Sequence, residues 1–148
     1  MSNLFNRCEL FNDDISRWDV SNVKSMRSIF ENAKLFNKPL NNWNTINVTN
    51  MTGMFYNAES FNQPLNNWNT INVTTMECMF KNAKSFNQPI DNWNITKVND
   101  IDYMFENAVN FNQPLINWDI SNIGFINFVF SNEYYNNQPE TIKYFRKY

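Results

Sequence analysis

The side chains in this sequence that could do chemistry are few and narrow in type. No histidine occurs, which removes the usual proton shuttle and the commonest metal ligand. The thiols are Cys8 and Cys78. Cys8 shares a column of small residues with Ala33, Ala58, Ala83 and Ala108, which predicts burial; Cys78 shares a variable column with Ser28, Gly53 and Tyr103, which predicts exposure. Their places in the repeat put them farther apart than the roughly 7 Å that a disulfide allows between Cα atoms. Two thiols are no disulfide framework, and they suit a reducing compartment. The carboxylate pairs Asp13–Asp14 and Asp100–Asp102 read as turn or helix-start charges rather than a calcium site. No glycine-rich phosphate loop exists. The expectation is a protein with no catalytic activity, no cofactor and no metal.

What remains is the chemistry of the amide. The chain holds 31 asparagines and two glycines. Each asparagine side chain both donates and accepts hydrogen bonds. Two of its rows predict an outward binding face: Arg17, Asn42, Asn67, Asn92 and Asn117, and beside them Asp19, Asn44, Asn69, Asn94 and Asp119. The same rows can also simply bond one another or water. An unbroken column, Asn12, Asn37, Asn62, Asn87 and Asn112, is the expected structural ladder, pairing the backbone groups of turns that would otherwise be left unsatisfied. Four sequons, at Asn47, Asn50, Asn72 and Asn94, read as part of this asparagine-rich grammar.

These rows exist because the sequence repeats. Tryptophan occurs only at Trp18, Trp43, Trp68, Trp93 and Trp118, always 25 residues apart. Phe11, Phe36, Phe61, Phe86 and Phe111 keep the same step, as do Phe30, Phe55, Phe80, Phe105 and Phe130, and all five prolines from Pro39 to Pro139. A period of this length lies in the leucine-rich-repeat range, and a unit so short buries its apolar face only by stacking on its neighbours. Val48, Met51, Met54, Phe55 and Ala58, spaced by three and four, predict a helix over about 48–58 with Asn47 as its N-cap. The "FNQP" turn stops it. The β-branched column Val20, Thr45, Thr70, Ile95 and Ile120 predicts a strand over about 42–46. The expected fold is therefore an α/β leucine-rich-repeat-like solenoid of about five 25-residue coils, each a short strand plus a short helix, over residues 1–130, with a C-terminal helical cap over 131–148.

At these residues the sequence resembles a known family. "MFYNAESFNQPLNNWNTINVTTM" is similar to the mycoplasma-type 25-residue surface-protein repeat, a variant of the BspA-like leucine-rich repeats also frequent in giant viruses. Phe55, Ala58 and Phe61 match its apolar and small-residue spacing, and Trp68 and Val73 match its strand tryptophan and the valine after the turn. The resemblance covers about residues 4 to 130. It implies a repeat fold and says little of activity. Members are often lipoproteins or secreted adhesins, whereas the start of this chain has neither signal peptide nor lipid-attachment cysteine. An intracellular or virion-associated setting is expected instead.

Composition bounds the function class. With 148 residues, 43% apolar and 17% aromatic, the chain suits one folded domain rather than a disordered tail. Net charge is −2 without a basic stripe, which argues against nucleic acid. No apolar run approaches the length of a membrane span. Between Pro39 and Phe80 the only charges are Glu59 and Glu77, so the middle presents a nearly neutral amide surface. The expected function is a scaffold for protein–protein interaction or assembly, with a glycan-binding adhesin or a virus-particle component as alternatives and a protein or polysaccharide as partner. Phe125 and Phe128 replace smaller or polar residues of earlier coils and call for cover by the tail, while the uncovered N-terminal edge around Leu4, Phe5 and Leu10 predicts a homodimer through that end.

Overall fold

A computed structural model describes residues 1–131. Parallel bridges join Ser25 to Asn50, Asn50 to Thr75, Thr75 to Asp100 and Asp100 to Phe125, each a step of 25 residues. The chain is therefore a stack of coils, 1–25, 26–50, 51–75, 76–100 and 101–125, with 126–131 starting another.

The elements inside a coil differ from the expected ones. No helix occurs among the described residues, and strand pairing is confined to isolated bridges, so the fold is not an α/β solenoid of short strands and short helices. The expected cap over 131–148 lies, Ser131 apart, outside the described residues. The expected helix at 48–58 is a run of tight turns: Met54 N–H donates to Met51 O, Tyr56 N–H to Gly53 O and Ala58 N–H to Phe55 O, each only three residues back. Gly53 (φ 58°) and Asn57 (φ 57°) are left-handed, which stops any helix from propagating through them.

The physical reason lies in where the backbone hydrogen bonds go. A helix uses every N–H on its own carbonyl four residues back. Here Met51, Gly53, Phe55 and Asn57 donate instead to the carbonyls of Thr75, Glu77, Met79 and Lys81, one turn further along the stack, over 2.8–3.1 Å. The carbonyls of Asn50, Thr52, Met54 and Tyr56 accept from Met26, Ser28, Phe30 and Asn32, one turn earlier in the stack. Alternate peptides thus point along the stack, and these four rows all aim their N–H groups toward the C-terminal end. Side chains in such a turn run return to one side every three or four residues, as in a helix. That is why Val48, Met51, Met54, Phe55 and Ala58 are all buried although no helix carries them.

The core is made of these columns. Phe30, Phe55, Phe80 and Phe105 stack with ring centroids 5.5–5.6 Å apart. Each also lies 4.0–4.1 Å from the second phenylalanine of its own coil, Phe36, Phe61, Phe86 or Phe111. Trp68 and Trp93 stack at 6.3 Å with planes 5° apart. Their segment is not the expected strand; each indole N–H donates instead to a carbonyl of the preceding coil, Trp43 to Ile15, Trp68 to Leu40, Trp93 to Leu65 and Trp118 to Ile90. Burying one large apolar side chain is worth ~1.5–3 kcal/mol, and a stacked aromatic pair adds ~0.5–1.5 kcal/mol. Every inner coil makes these contacts on both sides; the first makes them on one. Cys8, expected to be buried, is exposed, whereas Ala33, Ala58, Ala83 and Ala108 of its column are buried between coils.

Candidate binding face

Three kinds of asparagine emerge, each set by its place in the coil. The first is the column Asn12, Asn37, Asn62, Asn87 and Asn112. The side-chain oxygens of Asn12, Asn37, Asn62 and Asn87 accept the backbone N–H groups of Asn37, Asn62, Asn87 and Asn112 in turn, at 2.9–3.0 Å. Gln63, Gln88 and Gln113 donate to the same oxygens of Asn37, Asn62 and Asn87 at 3.0 Å. Proline in this turn makes the backbone extended and leaves no sheet ladder, so the side chains supply the inter-coil bonds.

Sequence reasoning missed the second kind. Asn32, Asn57, Asn82 and Asn107 form an amide ladder in which each side-chain N–H donates to the previous oxygen at 2.7–2.9 Å. All four are left-handed, with φ between 57° and 60°. Asparagine tolerates that conformation better than most residues. The signal was present as a column of asparagines, broken only by Arg7 in the first coil, inside the stretch read as helix.

The third kind is the outward face. All ten of its expected members, Arg17, Asp19, Asn42, Asn44, Asn67, Asn69, Asn92, Asn94, Asn117 and Asp119, are exposed. The row Asp19, Asn44, Asn69, Asn94 and Asp119 also closes turns: each side-chain oxygen accepts the backbone N–H two residues on, from Ser21, Ile46, Ile71, Thr96 and Ser121, at 2.9–3.2 Å. This fixes the side chains in orientation. Hydrogen bonds from the hydroxyl and N–H of Ser121 hold the Asp119 carboxyl below its usual range, and Ser21 does the same for Asp19. Asn47, expected to cap a helix, instead donates to Ser21 O of the preceding coil at 2.7 Å.

Between the fourth and fifth coils the face opens into a depression of about 400 Å³ lined by Asp91, Asn92, Trp93, Asn94, Ile95, Thr96, Asn117 and Asp119. Asp91, which sequence reasoning did not single out, replaces the asparagines of its column, Asn41 and Asn66. Its carboxylate accepts the Asn117 backbone N–H at 2.8 Å and the Asn117 side-chain N–H at 2.5 Å. The other singled-out carboxylates sit in turns: Asp14 accepts from Ser16 N–H and Asp100 from Asp102 N–H. Among the described residues no group of three or more His, Cys, Asp or Glu is placed to hold a metal ion. No helix among them is long and apolar enough to cross a membrane.

Stacked coils joined by side-chain ladders, with an even outward row of amides, define a repeat protein. The chain belongs to the family described as Mycoplasma protein of unknown function, DUF285, whose model matches residues 1–74 and again residues 40–144. Comparison with curated proteins and with solved structures gives no match.

Proposed function

We propose that the protein is a non-enzymatic repeat scaffold that holds a partner along its outward amide rows, a solenoid in the sense of the BspA-like leucine-rich repeats it resembles. The observation that supports this best is the pinning of Asn44, Asn69 and Asn94 by backbone N–H groups while all three stay exposed. Side chains already ordered lose little entropy on binding. The proposal extends to an intracellular or virion-associated setting, as in giant viruses.

A glycan partner is the second reading, favoured by the sameness of the rows. Identical uncharged amides at each coil suit a polymer that repeats along the stack better than one irregular protein epitope. The test uses Asn42, Asn67 and Asn92, the row that closes no turn, changed together to Ala. Intact chain and variant are compared by glycan array and by cross-linking to captured partners. Retained folding with lost binding supports the scaffold; binding that the variant keeps in full removes the face from the proposal.

A further inference from the structure

We propose that the depression between the fourth and fifth coils is a subsite for one neutral sugar ring of a longer glycan chain, an inference that rests on the reading of the amide rows as a binding face. Most polar atoms there are already engaged. Asn94 Oδ1 accepts from both the N–H and the hydroxyl of Thr96, at 3.1 and 2.7 Å. Asp119 Oδ1 accepts from Ser121 N–H, Asn92 Nδ2 donates to Asn66 O, and Asn117 Nδ2 donates to Asp91. These bonds set the side chains and leave a definite remainder. Among the described residues Asn94 Nδ2 is the donor that makes no bond at all; Asn92 Oδ1, Asn117 Oδ1 and the second carboxylate oxygen of Asp119 are the acceptors that make none. Sugar hydroxyls each donate and accept, so neighbouring hydroxyls on one ring can meet a donor and acceptors together. Trp93 and Ile95 lie at the floor but are only 3% and 2% exposed, so a ring would be held there through its hydroxyls rather than by stacking on an apolar side chain.

Charge narrows the ligand. No lysine or arginine lines the depression, whereas Asp91 and Asp119 do. Phosphorylated, sulfated and uronic-acid glycans would meet two carboxylates with no counter-charge. Both Asp91 oxygens accept from Asn117, whereas one Asp119 oxygen accepts no hydrogen bond, and a neutral hydroxyl satisfies it. The volume accommodates a sugar ring rather than a whole chain, and the remaining rings run over the pinned amides of Asn69 and Asn44, one coil at a time.

The test exploits the fact that this row already carries both residue types: Asp19 and Asp119 beside Asn44, Asn69 and Asn94. Asn94→Asp and Asp119→Asn therefore keep the turn-closing oxygen while removing the open donor or altering the open acceptor. The 15N-labelled intact chain is titrated with cellohexaose, chitohexaose, the cationic glucosamine hexamer and polygalacturonate, following side-chain amide resonances. A neutral hexamer should shift Asn92, Asn94 and Asn117 saturably, and Asn94→Asp should weaken it about tenfold, the worth of one hydrogen bond. Tighter binding of the glucosamine hexamer or of polygalacturonate overturns the ligand class. Shifts confined to Asn44 and Asn69, or untouched by Asn94→Asp, overturn the subsite and leave the face standing. Silence with every glycan also overturns the subsite; the face is then judged separately by protein capture with the Asn42, Asn67 and Asn92 variant.

Discussion

Asn57 donates its side-chain N–H to Asn32 Oδ1 across 2.7 Å, from one coil to the one before, while its own backbone sits at φ 57°. One residue type thus serves two needs at once. The amide continues a ladder along the stack, and the same side chain makes a left-handed backbone tolerable. Substitutions separate the two. Asn57→Gly keeps the backbone freedom and loses the bonds to Asn32 and Asn82, which should cost ~1–2 kcal/mol. Asn57→Ala loses both and should cost a further ~1–2 kcal/mol. Equal unfolding midpoints for the two variants would show that the left-handed conformation is wrong.

Trp68 contributes a ring to the core and an N–H to Leu40 O at 2.9 Å. Trp68→Ala should cost ~3–5 kcal/mol, as truncations of large buried aromatics do. Trp68→Phe keeps part of the stacking on Trp93 and Phe55 and deletes the N–H donor, so it should lie well below that. Denaturant titration measures both; an Ala variant as stable as the Phe variant would place the ring on the surface.

The column Ser28, Gly53, Cys78, Tyr103 and Phe128 is left-handed throughout, with φ between 51° and 59°. Only one member is glycine, which bears this conformation without cost. Cys78→Gly should therefore raise the unfolding midpoint, by up to ~1 kcal/mol, the part of a ~1–2 kcal/mol strain that remains once lost packing and added chain entropy are offset. Gly53→Ala should lower it, since its new Cβ would also stand 3.3 Å from Ser28 Oγ. Thermal unfolding of the pair is the measurement, and shifts of the same sign would refute the strain account.

Much of this was legible in the sequence and one layer was not. The period was plain from Trp18 to Trp118, and so was the inward side of Val48, Met51, Met54, Phe55 and Ala58. The element that carries them was not, because a turn run and a helix return side chains to one side at nearly the same interval. Gly53 and the recurring Asn57 were the residues that spoke against a helix. The two face rows were readable as outward positions, but the depression was not: Asp91 meets Asn117 across coils 26 residues apart, a contact that depends on the exact coil offset. The amide ladder of Asn32, Asn57, Asn82 and Asn107 was hidden by its assignment to the helix.

The two thiols should differ in reactivity. Cys8 is exposed and Cys78 is half-buried. Burial, and after it the Glu77 charge, push the Cys78 thiol from an ordinary 9.0 up to about 11. A thiol-reactive dye should label one site fast and one slowly, and Cys8→Ser should abolish the fast phase alone. The sign for stability follows. The unfolded thiol ionises first as pH rises, so the folded state loses ground between the ordinary value of 9.0 and about 11. Cys78→Ser should flatten that fall, and an unchanged alkaline slope would remove Cys78 as its source.

The last prediction concerns the N-terminal end. Trp18 is 45% exposed where Trp43, one coil on, is 2% exposed. Leu4, whose column is buried in every later coil, is 48% exposed, and Leu10 is 81% exposed. Among the described residues the indole N–H of Trp18 meets no carbonyl of the kind that Trp43, Trp68, Trp93 and Trp118 each find. The first coil also carries both signs of charge, Arg7, Arg17 and Lys24 with Glu9, Asp13, Asp14 and Asp19, whereas the third coil carries only Glu59. An apolar end rimmed by mixed charge complements a second copy of itself, so self-association should run through this end. Phe5 is a poor probe because it stacks on Phe11 at 3.8 Å and supports its own coil. Leu10 is a clean one, being almost free of its own chain. The mass of the intact chain by light scattering should rise with concentration, and Leu10→Asp should hold it at the monomer with little change in the unfolding midpoint. A mass that stays monomeric for the intact chain at all concentrations would dispose of the dimer, and a dimer that Leu10→Asp leaves intact would move the interface elsewhere.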